Sequence, residues 1–116
     1  MDNQQKQRII QEFVPGKQIT LAHIIANPVQ ELCEKLGMID MDNEAIGVMT
    51  ITPTEAVIIG ADVASKAGGV SIAFVDRFNG SLVVSGDVDA VESSVDAVLD
   101  VLGNKMHFDT VPITRT

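Results

Sequence analysis

The chain has 116 residues, of which 16 are acidic and 8 are basic, and its formal net charge is −8. Nucleic acids and anionic membranes are polyanions, so this charge argues against both as partners. The single cysteine excludes an internal disulfide, and no apolar run approaches the roughly 20 residues of a membrane-spanning helix. We therefore expect one soluble, cytosolic domain. Its core should be aliphatic, since the sequence has four Phe and neither Trp nor Tyr.

Residues 1–18 are mostly polar around a short apolar group, and the turn signal Pro15-Gly16 lies near their end. The apolar group consists of Ile9, Ile10, Phe13 and Val14. So short a segment cannot bury these side chains by itself, which leaves two interpretations. The segment is either a frayed terminus or an arm that packs against the fold or against another subunit.

The next segment reads as a strand followed by a short helix. A continuous apolar run over residues 19–26 has the length of a strand and is typical of one buried on both faces. Asn27 as the N-cap and Pro28 in the first turn predict a helix that ends at Gly37. The apolar stripe of this helix points Cys33 towards the core.

Residues 45–103 read as strand, helix, strand, strand and helix. Thr52 and Glu55 flank Pro53 in the pattern of a capping box and predict the start of the first of these helices. Asn79-Gly80 separates two β-rich segments and predicts a two-residue hairpin turn. The two strands should therefore be antiparallel neighbours.

The last helix is predicted by an apolar stripe opposite an acidic face, and Gly103 marks its expected end. The stripe consists of Val88, Val91, Val95, Val98 and Leu102. The tail beyond Gly103 alternates weakly, and we expect an edge strand there despite Pro112. Together the elements predict an α/β sandwich of ferredoxin-like character, in which helices cover a mixed, mostly antiparallel sheet.

The sequence favours no catalytic, cofactor or metal site. Cys33 lies on a packing stripe, His23 lies inside an apolar strand and His107 lies in the tail, so a nucleophilic Cys–His pair is not favoured. Two distant histidines also lack the spacing of metal ligands. Two features remain. Asp62 and Lys66 have the spacing of a surface ion pair on a helix. The hairpin tip carries Arg77 and Phe78. The Phe78 ring either folds back on the core or is exposed until a partner covers it.

One helix ends in the motif D-x-x-x-K-A, and one strand leads into G-D-V-x-x-V. These positions are filled by Asp62, Lys66, Ala67, Gly86, Asp87, Val88 and Val91. In both motifs the chain resembles the bacterial microcompartment shell domain. In the usual order of that family, a proline-bearing strand and turn come last, whereas here HIIANP (His23 to Pro28) comes first. This order, together with EFVPGK and DRFNG, is similar to circularly permuted shell proteins of ethanolamine and propanediol utilisation.

The resemblance implies a permuted shell domain over residues 19–116 and an N-terminal arm over residues 1–18. It implies a non-enzymatic subunit that forms cyclic homohexamers. These would tile with other shell proteins around a compartment in the bacterial cytoplasm. The arms would form a six-stranded barrel that caps a central pore, which would bury their four apolar side chains.

The resemblance also assigns residues to surfaces. The pore region would consist of Asp76, Arg77, Phe78, Asn79 and Gly80. The contact between neighbouring hexamers would involve Lys66, Asp62 and Asn27. Asn27 stands where the family has an arginine, so the contact of that arginine does not carry over.

Two other functions stay open on the residues alone. A small-molecule-binding regulatory module of ferredoxin-like type would be dimeric or trimeric and would hold its ligand between subunits. An enzyme would act through Cys33 or His23. The sequence does not distinguish among ethanolamine, propanediol and choline compartments.

Overall fold

The computed structural model describes residues 16–37 and 44–116. In this part of the chain there are five strands and three α-helices, and the third helix continues into a π-helical turn. Their bounds are β1 Gln18–Ile25, α1 Gln30–Lys35, β2 Ala45–Thr52, α2 Ala56–Ala67, β3 Val70–Asp76, β4 Ser81–Gly86, α3 Val88–Leu99, the π-helical turn Asp100–Lys105 and β5 Thr114–Arg115. Among these described helices, none combines the length and the apolar character that crossing a bilayer requires.

The strands form one sheet in the order β3-β4-β2-β1-β5. Every neighbouring pair is antiparallel except β1 and β5, which are parallel. Strands β2 and β3 therefore point the same way on either side of β4, and α2 makes the crossover between them, as in ferredoxin-like folds. The expectation of an α/β sandwich with a mixed, mostly antiparallel sheet is confirmed.

The main core lies between one face of the sheet and helices α2 and α3. Its largest fully buried side chains include Met49, Ile51, Leu82, Val91, Val95, Val98 and Leu102. Each such aliphatic side chain contributes about 1.5–3 kcal/mol by leaving water, so this layer is the main source of stability. The predicted stripe of α3 is thus confirmed, with Val88 at its half-buried start.

A smaller cluster on the other face of the sheet consists of Cys33, Ile46 and Val83 beneath α1. The sequence predicts that β1 is buried on both faces. This prediction is wrong, because Thr20 and Leu21 are exposed. Helix α1 covers only the end of this face where β1 finishes. Leu21, near the start of the strand, therefore remains open to solvent.

Both predicted helix starts are displaced. Thr52 cannot cap α2 because it still belongs to β2, opposite Gln18. A turn with a cis Thr52–Pro53 peptide follows, and α2 begins at Ala56, with Glu55 in the cap position but without a side-chain cap hydrogen bond.

Asn27 likewise does not cap α1, whose N-cap is the extended residue Val29. The N–H of Ala26 donates to the carbonyl of Thr116 at 3.0 Å. The chain therefore leaves the sheet later than predicted, and α1 starts later as a result. Gly37 does end this helix as expected, with a left-handed φ of 73°.

Helix α3 does not stop at Gly103, because the π-helical turn carries it on to Lys105. Gly103 is needed for a different reason, the close approach of another segment. A Cβ at this position would lie 2.9 Å from Cγ2 of Thr110, where the tail returns across the helix. The tail does add an edge strand, but only at Thr114–Arg115, beyond Pro112.

Candidate assembly surfaces

The loop between β3 and β4 is built around the carboxylate of Asp76. Its Oδ1 accepts hydrogen bonds from the backbone N–H groups of Phe78 and Asn79 at 2.9 and 3.1 Å, and its Oδ2 accepts one from Asn79 Nδ2 at 2.8 Å. These bonds hold the pKa of Asp76 below its usual value, and the bond from the Asn79 side chain has the largest effect. The loop therefore has four residues, 77–80, and the predicted two-residue turn is wrong. Among them only Gly80 has a positive φ, 75°.

Arg77 and Phe78 project from this loop. The Phe78 side chain is 78% exposed, so it does not fold back on the core. The Arg77 guanidinium lies 5.0 Å from the centroid of the Phe78 ring, a cation–π distance. Because Asp76 fixes the backbone beneath them, the two side chains form a defined exposed tip.

The β3–β4 loop, the β2–α2 turn and the start of β1 lie at one end of the sheet, which we term the loop end. The N–H of Ile51 donates to the carbonyl of Gly80 at 2.8 Å, and Thr52 pairs with Gln18. A Cβ at Gly80 would collide with the Ile51 carbonyl, so only glycine fits there. The four apolar residues of the predicted arm, Ile9, Ile10, Phe13 and Val14, lie outside the described residues, and the chain enters the described part at this end through Gly16.

The opposite end of the sheet, which we term the far end, carries the predicted edge residues. Lys66 Nζ lies 2.9 Å from Asp62 Oδ2, and both side chains are more than half exposed. Asn27 lies two residues beyond the end of β1, at the same end of the sheet. Helix α2 begins at the loop end and its twelve residues extend about 18 Å. The structure therefore separates the predicted pore residues from the predicted edge residues along the domain.

Cys33 and His23 have structural surroundings. The thiol of Cys33 is buried beneath α1. His23 Nδ1 lies 2.6 Å from the hydroxyl of Thr114, and His23 Nε2 lies 2.9 Å from that of Thr116, so both ring nitrogens have partners. His23 thus links β5 to β1, and Arg115 of β5 forms an ion pair with Glu92 of α3. Across residues 16–37 and 44–116, no three His, Cys, Asp or Glu side chains are grouped as metal ligands.

An open groove lies between α3, the π-helical turn and the tail, with a volume of about 350 Å³. It is lined by polar and apolar side chains, among them Asp96, Asp100, Asn104, Phe108 and Thr110. Sequence reasoning missed this surface because it assigned Gly103 to a helix end. A glycine inside a helical pattern can instead signal the close approach of another segment, as it does here.

Comparison with known proteins shows the family to which this chain belongs. The model of the BMC domain matches residues 45–116. The bacterial microcompartment shell protein PduU of Salmonella typhimurium (strain LT2) is 56% identical over 109 residues, which cover 94% of this chain and 93% of PduU. The shell protein EutS of Escherichia coli (strain K12) is 49% identical over 111 residues, which cover 96% of this chain and 98% of EutS.

A solved structure described as a CutR flat hexamer matches with a TM-score of 0.84 at 48% identity, and the match covers 89% of this chain and 86% of that one. The family model covers more than half of the chain, and the relatives align over nearly all of it. The chain therefore belongs to the BMC-domain family of bacterial microcompartment shell proteins.

Proposed function

We propose that this protein is a structural subunit of a bacterial microcompartment shell in the cytoplasm. It forms cyclic homohexamers, which tile edge to edge with one another and with other shell proteins. The observation that supports this most strongly is the separation of two surfaces at opposite ends of the domain. In a flat ring one end of each subunit faces the axis and the other faces the rim.

The loop end is the end that faces the six-fold axis. Its tip is fixed by Asp76 and presents Arg77 and Phe78 to solvent, as a surface that lines an opening would require. Six copies of residues 76–80 then surround a central pore. The loop that borders this opening is held in shape by the hydrogen bonds to the Asp76 carboxylate.

The N-terminal arm caps this pore. Since β1 begins at the loop end, residues 1–15 join the domain beside residues 76–80. The strand order β3-β4-β2-β1 is that of a ferredoxin-like unit in which the strand expected last in the chain comes first. This order supports a circularly permuted domain, and permutation is what brings the N-terminus to the axis.

The far end carries the contact between hexamers. The ion pair of Lys66 and Asp62 is exposed, and such pairs stabilise a fold by only about 0.3–0.5 kcal/mol. Lys66 is therefore free to exchange its partner for groups on a neighbouring hexamer at little cost to the subunit. Each hexamer repeats this contact six times, so weak contacts add up to a stable sheet.

The protein acts without catalysis in this proposal. His23 and Cys33, the residues considered for an enzyme, serve packing and strand pairing. The relatives named above are shell proteins, which gives no support to a ligand-binding regulatory module. Such a module would in addition be dimeric or trimeric, so the mass of the native particle separates the two.

The test is the substitution Lys66→Asp. We expect native mass spectrometry to show the unchanged hexamer, whereas two-dimensional sheets disappear from electron micrographs. Lys35→Asp is the matched control, because Lys35 forms an equally exposed pair with Glu31 at 3.4 Å on α1. Sheets formed by the Lys66 variant as readily as by the unaltered protein would contradict the edge assignment, as would the loss of sheets in both variants.

A further inference from the structure

The β3–β4 loop contains a chemically labile dipeptide, Asn79-Gly80. The backbone nitrogen that follows an asparagine can attack the Cγ atom of that residue and close a five-membered ring, and a glycine leaves this approach unhindered. Asparagine is accordingly among the thermolabile residue types. Of the other two asparagines in the described residues, Asn27 precedes a proline, whose nitrogen carries no proton, and Asn104 precedes a lysine. Among these three asparagines, Asn79 is therefore the one at which ring closure is least hindered.

The structure of the loop requires both members of this dipeptide. Gly80 is buried with a φ of 75°, and a Cβ there would collide with the carbonyl of Ile51. Asn79 is exposed, and its side-chain amide donates to Asp76 at 2.8 Å. The labile pair therefore follows from the way the loop is built.

Asp76 holds both groups that would react. Its carbonyl accepts a hydrogen bond from the N–H of Gly80 at 2.7 Å, which engages the attacking nitrogen. Its Oδ2 accepts the bond from Asn79 Nδ2, which engages the amide that would leave. Its Oδ1 accepts a further bond from the N–H of Asn79 at 3.1 Å. Ring closure in the folded subunit therefore requires that several hydrogen bonds open together.

We propose that Asn79 is a site of spontaneous deamidation and that Asp76 keeps this modification slow in the folded subunit. In the first step a bond forms between the Gly80 nitrogen and Asn79 Cγ, and the bond from Cγ to Nδ2 breaks. The proton lost from the Gly80 nitrogen is balanced by the one that the leaving group takes from solvent to become ammonia.

Water completes the reaction. It adds to one of the two carbonyl carbons of the succinimide, the bond from that carbon to the nitrogen breaks, and the nitrogen regains a proton. The product at position 79 is aspartate or isoaspartate, whose carboxylic acid ionises. No group is oxidised or reduced, and water is the only reactant that solvent must supply.

The product replaces an attraction in the loop by a repulsion. A carboxylate at position 79 would face the Asp76 carboxylate at the distance of a hydrogen bond, and neither ionised group has a proton to donate. The tip that carries Arg77 and Phe78 thereby loses one of its supports. In the proposed hexamer, on which this consequence rests, every modified subunit also adds a negative charge beside the central pore.

Peptide mapping by mass spectrometry tests the site in the full-length protein during incubation in mildly alkaline buffer. Asp76→Ala should speed the conversion of Asn79 about tenfold with unchanged circular dichroism, because bonds to a charged group no longer have to open first. Asp100→Ala is the matched control, since Asp100 Oδ1 accepts a bond from Asn104 Nδ2 at 2.8 Å. This control should leave the rate at Asn79 unchanged. A folded Asp76→Ala protein that converts no faster than the unaltered protein overturns the inference, as does equal acceleration at Asn79 by the control.

A comparison of the unaltered protein in buffer and in urea does not depend on the folding of any variant. In the unfolded chain Asn79 should be converted faster than Asn104, because a glycine follows it. In the folded protein the conversion of Asn79 should be about tenfold slower than in urea. Equal rates at Asn79 in the two states overturn the inference. These rates are read at one residue of each subunit, so they hold whether or not native mass spectrometry shows the hexamer of the proposed function.

The substitution Asn79→Asp reproduces one product of the reaction and tests its consequence. Its midpoint of thermal unfolding should be lower than that of Asn79→Ser, which removes the same amide without adding a charge. Equal midpoints for the two variants contradict the predicted repulsion from Asp76.

Discussion

At the scale of single residues, a few polar side chains stabilise the loops and strand pairs of this domain. His23 uses both ring nitrogens to hold β5, and Asp76 uses both carboxylate oxygens to hold the β3–β4 loop. Lys17 donates from Nζ to the carbonyl of Met106 at 2.9 Å and lies 5.7 Å from the centroid of the Phe108 ring. His23 and Lys17 reinforce backbone hydrogen bonds that already join the tail to β1, whereas Asp76 orders its own loop.

Asp76→Ala should lower the midpoint of thermal unfolding at neutral pH, because the loop loses three hydrogen bonds to the carboxylate. The pKa of Asp76 is lower in the folded than in the unfolded state, so the ionised carboxylate stabilises the fold above the unfolded pKa. This contribution is lost as the pH falls through the folded value. The difference in midpoint between the two proteins should therefore shrink below about pH 4, the ordinary pKa of an aspartate. Glu34→Ala, at an exposed acid on α1, is the control, and a difference that persists in acid would contradict this account.

At the scale of elements, the packing of α3 on the sheet depends on a glycine in β2. A Cβ at Gly47 would lie 2.9 Å from Val91 Cγ1, 3.0 Å from Val84 Cγ2 and 3.1 Å from Val95 Cγ2. The helix approaches β2 this closely because the strand has no side chain at that point. This close approach sets the distance between α3 and the sheet.

Gly47→Ala should destabilise the protein by about 1–3 kcal/mol through overpacking of this contact. Thermal unfolding measures the loss. Gly16→Ala is the control, because a Cβ there meets nothing within 4 Å. Combining Gly47→Ala with Val91→Ala should cost less than the sum of the two single changes, since the cavity left by one accommodates the methyl group of the other. Strict additivity would show that the two sites do not share this space.

At the scale of the whole molecule, the proposed closure of the central pore depends on the N-terminal arm. Deleting residues 1–15 should leave the hexamer intact and open its axis, because every strand and helix of the described domain lies beyond the cut. The cut stops before Gly16, since Lys17 holds the tail through its side chain and its carbonyl. Electron cryomicroscopy of the truncated hexamer measures the opening. Monomers after this deletion would mean that the arm holds the ring together and does not merely cap it.

The elements themselves could be predicted from local patterns. The apolar stripe of α3, the inward position of Cys33 and the order of strands and helices follow from periodicity, which depends only on neighbours in the chain. The Asp62–Lys66 pair followed from its spacing on a helix. The family resemblance likewise rested on short motifs that the sequence carries by itself.

The tertiary structure decided the features in which distant segments compete for the same backbone. Thr52 is kept in β2 by Gln18 and Ala26 is held in the sheet by Thr116, and both helix starts are displaced as a result. The approach of Thr110 explains Gly103, which the sequence had assigned to a helix end. Only the folded chain shows that the loop and the ion pair lie at opposite ends of one domain, because distances between residues far apart in sequence are set by packing and strand register.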